Sequence, residues 1–190
     1  MRPREGKPLD IVSRAKARDR EAFEVLVERH ATEVYRLAAS IVGMADAGDV
    51  TQDAFVAAWQ QLPRLRDAAS FGPWLRRICV NRARNSLRSS ARRGVPAPFD
   101  SGEVLSRTDP RSDFHDAVEA RTLLEPAFER LTPDQRTILA LHYSMGYSIA
   151  EAADALGVPT GTAKSRLSAA LSALRAAVGG PDGTPAEAAS

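Results

Sequence analysis

The residues of this chain that could bind a charged partner are mostly arginines, and they are concentrated in one stretch. Seven fall within it: Arg76, Arg77, Arg82, Arg84, Arg88, Arg92 and Arg93. No aspartate or glutamate occurs between Asp67 and Asp100, so no acid interrupts the run. Solvated surface arginines are the simpler explanation of such a run. A local charge of one sign on a helix nevertheless favours a polyanionic partner.

A second group of polar residues opens a helix nearer the C-terminus. Its members are small, hydroxylated or cationic: Thr160, Gly161, Thr162, Lys164, Ser165 and Arg166. The preceding segment predicts a short helix, with Ser148 and Glu151 as a capping box and Gly157 at its end. Thr160 is then the expected N-cap of the second helix. This pattern is typical of a helix-turn-helix, whose second helix contacts DNA with its first residues. The alternative is an ordinary helical hairpin.

The chain shows no cluster of residues that would support catalysis or metal binding. Its three histidines are scattered, and Cys79 is its only cysteine. No disulfide can therefore form within the chain, which fits a reducing cytoplasm. No apolar run approaches the roughly 20 residues that span a bilayer, and the N-terminus lacks the apolar core of a secretory signal. We expect a cytoplasmic protein that is not an enzyme and has no cofactor, metal or small-molecule substrate.

Apolar residues recur at three- and four-residue steps along most of the chain, which predicts an all-α protein. Asp19 is a plausible N-cap of the first long helix, and Gly43 is placed to end it. We expect the next helix to start at Asp46, with Asp49 completing a variant capping box. Ser70 is the predicted cap of the arginine-rich helix.

The pattern fails after position 93, where proline, glycine, serine and aspartate dominate. We therefore predict two small helical domains joined by a flexible linker, the C-terminal one a helix-turn-helix. The predicted bounds are residues 1–93 for the N-terminal domain, 94–116 for the linker, 117–178 for the C-terminal domain and 179–190 for a disordered tail. Helical periodicity resumes near Phe114, and Thr132 with Pro133 predicts another helix start.

Two separated parts of the chain, one near each end, resemble the extracytoplasmic-function (ECF) sigma factors of bacterial RNA polymerase, in the sigma-70 family. "LTPDQRTILALHYSMGYSIAEAADALGVPTGTAKSRLSAALSALR" is similar to their C-terminal DNA-binding domain. "DAGDVTQDAFVAAWQQL" resembles their polymerase-binding helix, and "FGPWLRRICVNRARNSLR" resembles their promoter-melting helix. Matches in the expected order, joined by a linker, are more specific than either alone.

The resemblance implies a role for each group of residues. The predicted polymerase-binding residues are Asp46, Asp49, Gln52, Asp53, Phe55 and Trp59. Asp49, Gln52 and Asp53 share one helical face, whereas the spacing of Phe55 and Trp59 also favours the core. The predicted contacts with the −10 promoter element are Arg64, Arg66, Arg76, Arg77, Asn81, Arg84 and Arg88, and the loop 63–70 would hold an unstacked base. Residues 160–166, named above, would read the −35 element.

Three departures from the family pattern bear on affinity. Gly48 stands where the family usually has an acid, and Ala163 replaces a β-branched residue. Ser168, Ala169 and Ala170 stand where basic residues are common. Fewer phosphate contacts would weaken binding of the −35 element, so that the C-terminal domain would depend on its tether to polymerase.

The resemblance thus implies an alternative sigma factor that binds core RNA polymerase and promoter DNA and starts transcription of a stress or signal regulon. Family analogy adds an anti-sigma factor, often membrane-tethered, as its inhibitor. A stand-alone helix-turn-helix transcriptional regulator is the alternative. A nucleic-acid-modifying enzyme is a further one, although no catalytic constellation supports it.

Overall fold

The protein is described here by a computed structural model that covers residues 8–93 and 130–178. In chain order its α-helices are α1 (Pro8–Lys16), α2 (Arg20–Val42), α3 (Met44–Gln61), α4 (Phe71–Arg92), α5 (Pro133–Leu139), α6 (Ile149–Leu156) and α7 (Thr160–Val178). Short 3-10 helices at Leu62–Arg64 and Ala68–Ser70 join α3 to α4, and a π-helical turn at Ala140–Ser144 extends α5. No strand occurs in these two ranges, and the all-α prediction is confirmed.

Helices α2, α3 and α4 pack against one another, and α1 lies on α2. The side chain of Asp19 accepts a hydrogen bond from the backbone of Ala22 (3.1 Å), so it is the N-cap predicted for α2. This hydrogen bond, followed by one from Arg14, lowers the pKa of Asp19. Helix α1 was not predicted from the sequence.

The predicted start of α3 at Asp46 is wrong. The helix begins at Met44 directly after Gly43, and no side chain caps it. Gly43 has φ of +82°, and this single glycine ends α2 and precedes α3. The second long helix therefore starts about half a turn earlier, and Asp46 lies within its first turn. Ser70 does precede α4, but its hydroxyl donates to Asp67 (2.8 Å) instead of capping the helix.

The capping predictions for the C-terminal half are mostly confirmed. Thr132 and Ser148 each form a complete capping box, at the starts of α5 and α6. Gly157 ends α6 in the left-handed region, with φ of +66°. Helix α7 starts at Thr160 itself, so Thr160 is its first residue and not its N-cap.

Buried apolar side chains from both halves form one continuous cluster. Its largest fully buried members are Leu37, Ile41, Leu62 and Leu75 in the N-terminal half (residues 8–93) and Ile138 and Leu141 in the C-terminal half (residues 130–178). Helix α4 packs directly against α5 and α6, and α2 contacts the π-helical turn. The two halves are therefore in contact over a shared core.

Several predictions concern residues outside the described ranges. The linker 94–116, the helical pattern from Phe114 to position 129 and the tail 179–190 lie there, so the domain bounds remain predictions. Within the described ranges, none of the helices combines the length and the apolar character that a membrane span requires.

Candidate docking and nucleic-acid interfaces

The predicted docking residues lie on the outer face of α3. Asp49, Gln52 and Asp53 are exposed, and Asp46 is half-buried. Neither Asp49 nor Asp53 forms an ion pair with a residue of the described ranges. The three exposed side chains share one helical face at spacings of three and four residues, as the sequence indicated. This surface is acidic and uncovered.

An apolar groove runs beside this acidic surface, between α2 and α3. It has a volume of about 480 Å³ and is lined by Arg20, Phe23, Glu24, Val27, Gln52, Phe55, Val56 and Trp59. Val56 is 49% exposed and extends the apolar surface of the groove. Because Gln52 belongs to both surfaces, we treat them together as the docking face: Asp49, Gln52, Asp53, Val56 and the groove.

The aromatic residues of the docking face divide between core and surface. Phe55 is only 8% exposed, which confirms its predicted place in the core. Trp59 is half-buried, with its ring 4.9 Å from that of Phe23. Arg18 lies over the same indole at 5.1 Å and donates a hydrogen bond to the Trp59 carbonyl (2.9 Å). The sequence prediction missed Phe23 and Val56, although Val56 continues the stripe of Asp49 and Gln52 at helical spacing.

The loop between α3 and α4 is held in place by a buried leucine and by hydrogen bonds within the loop. Leu65 is buried, and Asp67 accepts hydrogen bonds from the backbone of Ala69 (3.0 Å) and the hydroxyl of Ser70 (2.8 Å). These bonds, in that order, lower the pKa of Asp67. Arg64 and Arg66 are both exposed on the loop.

A pocket of about 240 Å³ adjoins the end of this loop. Ala68 and Ala69 of the loop line it, together with His30 and Phe71, whose ring centroids are 5.3 Å apart. An aromatic wall beside a short basic loop is the type of surface that can hold an unstacked base. Trp74 is half-buried and packs against the core.

The four arginines of α4 that were predicted to contact DNA all meet other residues of the protein. Arg76 donates to Glu33 of α2 (2.9 Å). The guanidinium of Arg77 lies against Gly157, so close that a Cβ there would be 2.6 Å from its Nη2. Asn81 is exposed. The remaining two predicted arginines contact the C-terminal half.

That contact centres on one carboxylate, Asp134 of α5. Arg84 donates to its Oδ1 through Nε (3.1 Å) and Nη2 (2.8 Å), and Arg88 donates to the same oxygen (3.0 Å). Arg166 of α7 approaches Oδ2 at 3.7 Å. Partial burial would raise the pKa of Asp134, but the hydrogen bond from Arg84 and the charges of Arg84, Arg88 and Arg166 lower it overall.

The predicted reading end of α7 is largely open to solvent. Thr160, Gly161, Lys164 and Ser165 are exposed, whereas Thr162 and Arg166 are half-buried. Ala163, within the reading end, and Ala170, one turn beyond it, are fully buried. Of the three positions where basic residues are common in the family, only Ser168 and Ala169 are exposed. The absence of a cation at Ala170 is therefore explained by packing and does not reduce the number of phosphate contacts.

No group of side chains in the described ranges has the composition of a metal site. Cys79 is buried, and its thiol lies 3.6 Å from the Val34 carbonyl. Burial, followed by the charge of Glu33, raises the pKa of Cys79 to about 12, so the thiol is protonated and unreactive at neutral pH.

Two family models match the chain, in the order of its two halves. Residues 26–93 match sigma-70 region 2, and residues 121–174 match sigma-70 region 4. The ECF RNA polymerase sigma-E factor of Escherichia coli strain K12 is 31% identical over 172 residues, covering 86% of this chain and 90% of that protein. The sigma-E factor of Haemophilus influenzae is 29% identical over 165 residues, covering 83% and 87%.

Two solved structures share the fold. CnrH in complex with the cytosolic domain of CnrY is 25% identical, with a TM-score of 0.57, covering 92% of this chain and 99% of that chain. The sigma factor RpoE in complex with the anti-sigma factor NepR from Bartonella quintana is 22% identical, with a TM-score of 0.52, covering 84% and 98%. Both likenesses extend over the two halves.

Proposed function

We propose, from the premise that this chain belongs to the extracytoplasmic-function sigma factors of the sigma-70 family, that it directs core RNA polymerase to two-part promoters. It is an alternative sigma factor. A stand-alone helix-turn-helix regulator is the wrong description, because the N-terminal half matches sigma-70 region 2. The protein would act in the cytoplasm by binding alone, spending binding energy on strand separation and catalysing no covalent step.

The observation that carries this proposal is the pairing of two surfaces in one chain. The docking face presents two carboxylates without ion-pair partners in the described ranges, beside an apolar groove. A helix-turn-helix with a polar, exposed reading end occupies the other half. The first surface suits a basic, partly apolar protein partner and the second suits DNA. A regulator without polymerase contact has no use for the first.

Promoter contacts follow from where the cations lie. In the N-terminal half, the arginines of α4 would follow the DNA backbone beside the −10 element. The loop carrying Arg64 and Arg66, with the adjoining aromatic pocket, would take an unstacked base of the non-template strand. Lys164 and the hydroxyls of α7 would contact the −35 element. Arginine and lysine contacts with phosphates supply affinity, and contacts at base edges supply specificity.

An anti-sigma factor would hold the protein inactive. The two structures with the same fold are of complexes, of CnrH with the cytosolic domain of CnrY and of RpoE with the anti-sigma factor NepR. By analogy, an inhibitor of this chain would cover the docking face, whose apolar groove would accept an amphipathic helix. Co-purification with the product of a neighbouring gene tests this, and constitutive activity in cells would argue against it.

Run-off transcription with core polymerase tests the main proposal. The template is the region upstream of the gene for this chain, and the control omits the protein. We expect a discrete transcript that depends on the added chain, whose 5′ end locates the −10 and −35 elements. Failure of the protein to bind core polymerase in a pull-down would overturn the proposal.

A further inference from the structure

One carboxylate holds the arginines of both DNA-binding helices in this structure. Arg84 and Arg88 come from α4, the helix proposed to contact the −10 element, and Arg166 comes from α7, the −35 reading helix. All three guanidinium groups meet at the two oxygens of Asp134. The side chain of Arg84 is only 12% exposed there. Carboxylate and phosphate oxygens are alternative partners for the same guanidinium groups.

Two further arginines of α4 also lie beside the C-terminal half, although Arg77 itself stays exposed. Arg77 lies against Gly157, at the turn before the reading helix, where a side chain would displace the guanidinium. Arg76 and Glu33 line a cavity of about 500 Å³ whose opposite wall is Tyr147 and Glu151 of the C-terminal half. Every arginine of α4 that we assign to DNA therefore faces the C-terminal half or its cavity.

This closed arrangement is incompatible with binding both promoter elements at once. The −35 and −10 elements are about 25 base pairs apart, which at about 3.4 Å per base pair is about 85 Å along the duplex. Arg88 and Arg166 instead contact the same carboxylate. The two halves must therefore separate before the chain can read a promoter, and the contacts of Asp134 must break.

We propose that Asp134 is an intramolecular substitute for DNA phosphate, which keeps the free chain closed and Arg84, Arg88 and Arg166 paired within the chain until polymerase separates the two halves. The proposal rests on the proposed function, because it assigns the arginines to promoter DNA. It adds a restraint that acts within the chain, before any inhibitor binds.

The chemistry of the contact suits a restraint that can be released. One carboxylate faces three guanidinium groups, so the described residues leave two positive charges of this cluster without an acidic partner. The buried Nη1 of Arg166 forms no hydrogen bond with any described residue. A DNA backbone offers a separate phosphate to each arginine and removes both deficits. Asp49, Gln52 and Asp53 stay exposed in the closed form, so polymerase can dock first.

The test compares Asp134→Asn with Glu28→Gln in the full chain. Glu28 is an exposed acid of α2 that forms no ion pair with a described residue and does not line the cavity between the halves, so its replacement changes the net charge equally away from the contact. X-ray scattering gives the radius of gyration, and fluorescence anisotropy gives the affinity for a random-sequence duplex of about 30 base pairs. For Asp134→Asn alone we expect a larger radius, affinity raised at least about fivefold and a steeper salt dependence.

The proposal is overturned if Asp134→Asn leaves the radius unchanged, or if Glu28→Gln raises DNA affinity equally. A second variant, Arg84→Gln with Arg88→Gln, removes the other side of the contact. It should raise the radius without raising DNA affinity, and an unchanged radius would also overturn the proposal. None of these measurements contains polymerase. If the variants change the radius and the DNA affinity as expected but the wild-type chain gives no run-off transcript, the proposed function fails while the closure stands.

Discussion

The docking face of α3 and the arginines of α4 differ in what occupies them in the free chain. Asp49 and Asp53 are exposed and have no ion-pair partner in the described ranges. Arg76 and Arg84, by contrast, are held by Glu33 and Asp134 at 2.9 and 2.8 Å. One surface is ready for a protein partner, and the other is already bonded within the chain.

This difference implies an order of events. A surface that is free in the closed form can bind at once, whereas arginines that are paired across the two halves are released only when the halves separate. The cost of separation lowers the apparent affinity for DNA by the fraction of chains that are open. Polymerase that binds the docking face and pulls the halves apart would remove this cost. The chain would therefore meet polymerase before promoter DNA.

The largest expected effect follows from disrupting the docking face. Asp49→Arg with Gln52→Ala reverses one charge and removes one amide from the exposed surface of α3. Loss of a charged contact at an interface, replaced by repulsion, should weaken binding to core polymerase at least about 30-fold, or about 2 kcal/mol. Titration of fluorescently labelled protein with core polymerase measures this.

The matched control makes the same residue changes off the docking face, as Asp154→Arg with Gln61→Ala. It should bind core polymerase like the wild type, and equal weakening by both variants would contradict the role of the docking face.

Gly48→Glu tests whether an added negative charge on the docking face strengthens binding to core polymerase. A Cβ at this exposed position meets nothing within 4 Å, and a carboxylate there restores the family's usual charge. We expect affinity for core polymerase to rise a few-fold.

The arginines of α4 should affect promoter opening and not the binding of core polymerase. Arg84→Ala with Arg88→Ala should reduce open-complex formation about tenfold while sparing core binding. The two lost phosphate contacts should lower the slope of log affinity against log salt by about two. Permanganate footprinting of a promoter bubble measures the open complex. Arg92→Ala, an exposed arginine near the end of the same helix, is the control.

Loss of core binding by Arg84→Ala with Arg88→Ala would instead show that these arginines are structural. The contrast with Asp134→Asn is informative, because both variants break the same contact. Asp134→Asn should open the chain and keep the DNA contacts, whereas the double arginine variant should open the chain and lose them.

A smaller effect is expected from adding cations to α7. Ser168→Lys with Ala169→Lys places two lysines at exposed positions after the reading end. Each new phosphate contact should steepen the salt dependence by about 0.9 and together they should raise affinity for a −35 duplex a few-fold. Ala170→Lys is the contrasting variant. It buries a charge, and should cost about 3 kcal/mol or more in unfolding free energy, measured by chemical denaturation.

Local signals in the sequence predicted much of the fold. The caps at Asp19, Thr132 and Ser148 and the left-handed Gly157 depend on residues within one helical turn, so short motifs suffice to find them. The predicted start of α3 was wrong because the single residue Gly43 both ends α2 and precedes α3. Helix α1 was missed because a nine-residue helix leaves room for only two turns of apolar repeat.

The sites divide in the same way. The acidic stripe of α3 could be predicted because its members are helical neighbours. The apolar groove could not, since Phe23 and Val56 belong to different helices and meet only through packing. The partner of Arg84 lies 50 residues away in Asp134, beyond any local periodicity. The burial of Ala170 likewise depends on how α7 packs, which a comparison of residue types does not reveal.

The smallest effect concerns acid, and it distinguishes the carboxylate of Asp134 from other contacts between the halves. The pKa of Asp134 in the closed form is below its ordinary value of 3.8, so its ion pairs stabilise closure fully above that value. This stabilisation is lost as the pH falls through the lowered pKa. We expect a constant radius of gyration between pH 8 and 5, and expansion only below about pH 4. In Asp134→Asn the radius should already be large at pH 7 and change less on acidification. Expansion of the wild type between pH 7 and 5 would contradict control by this aspartate.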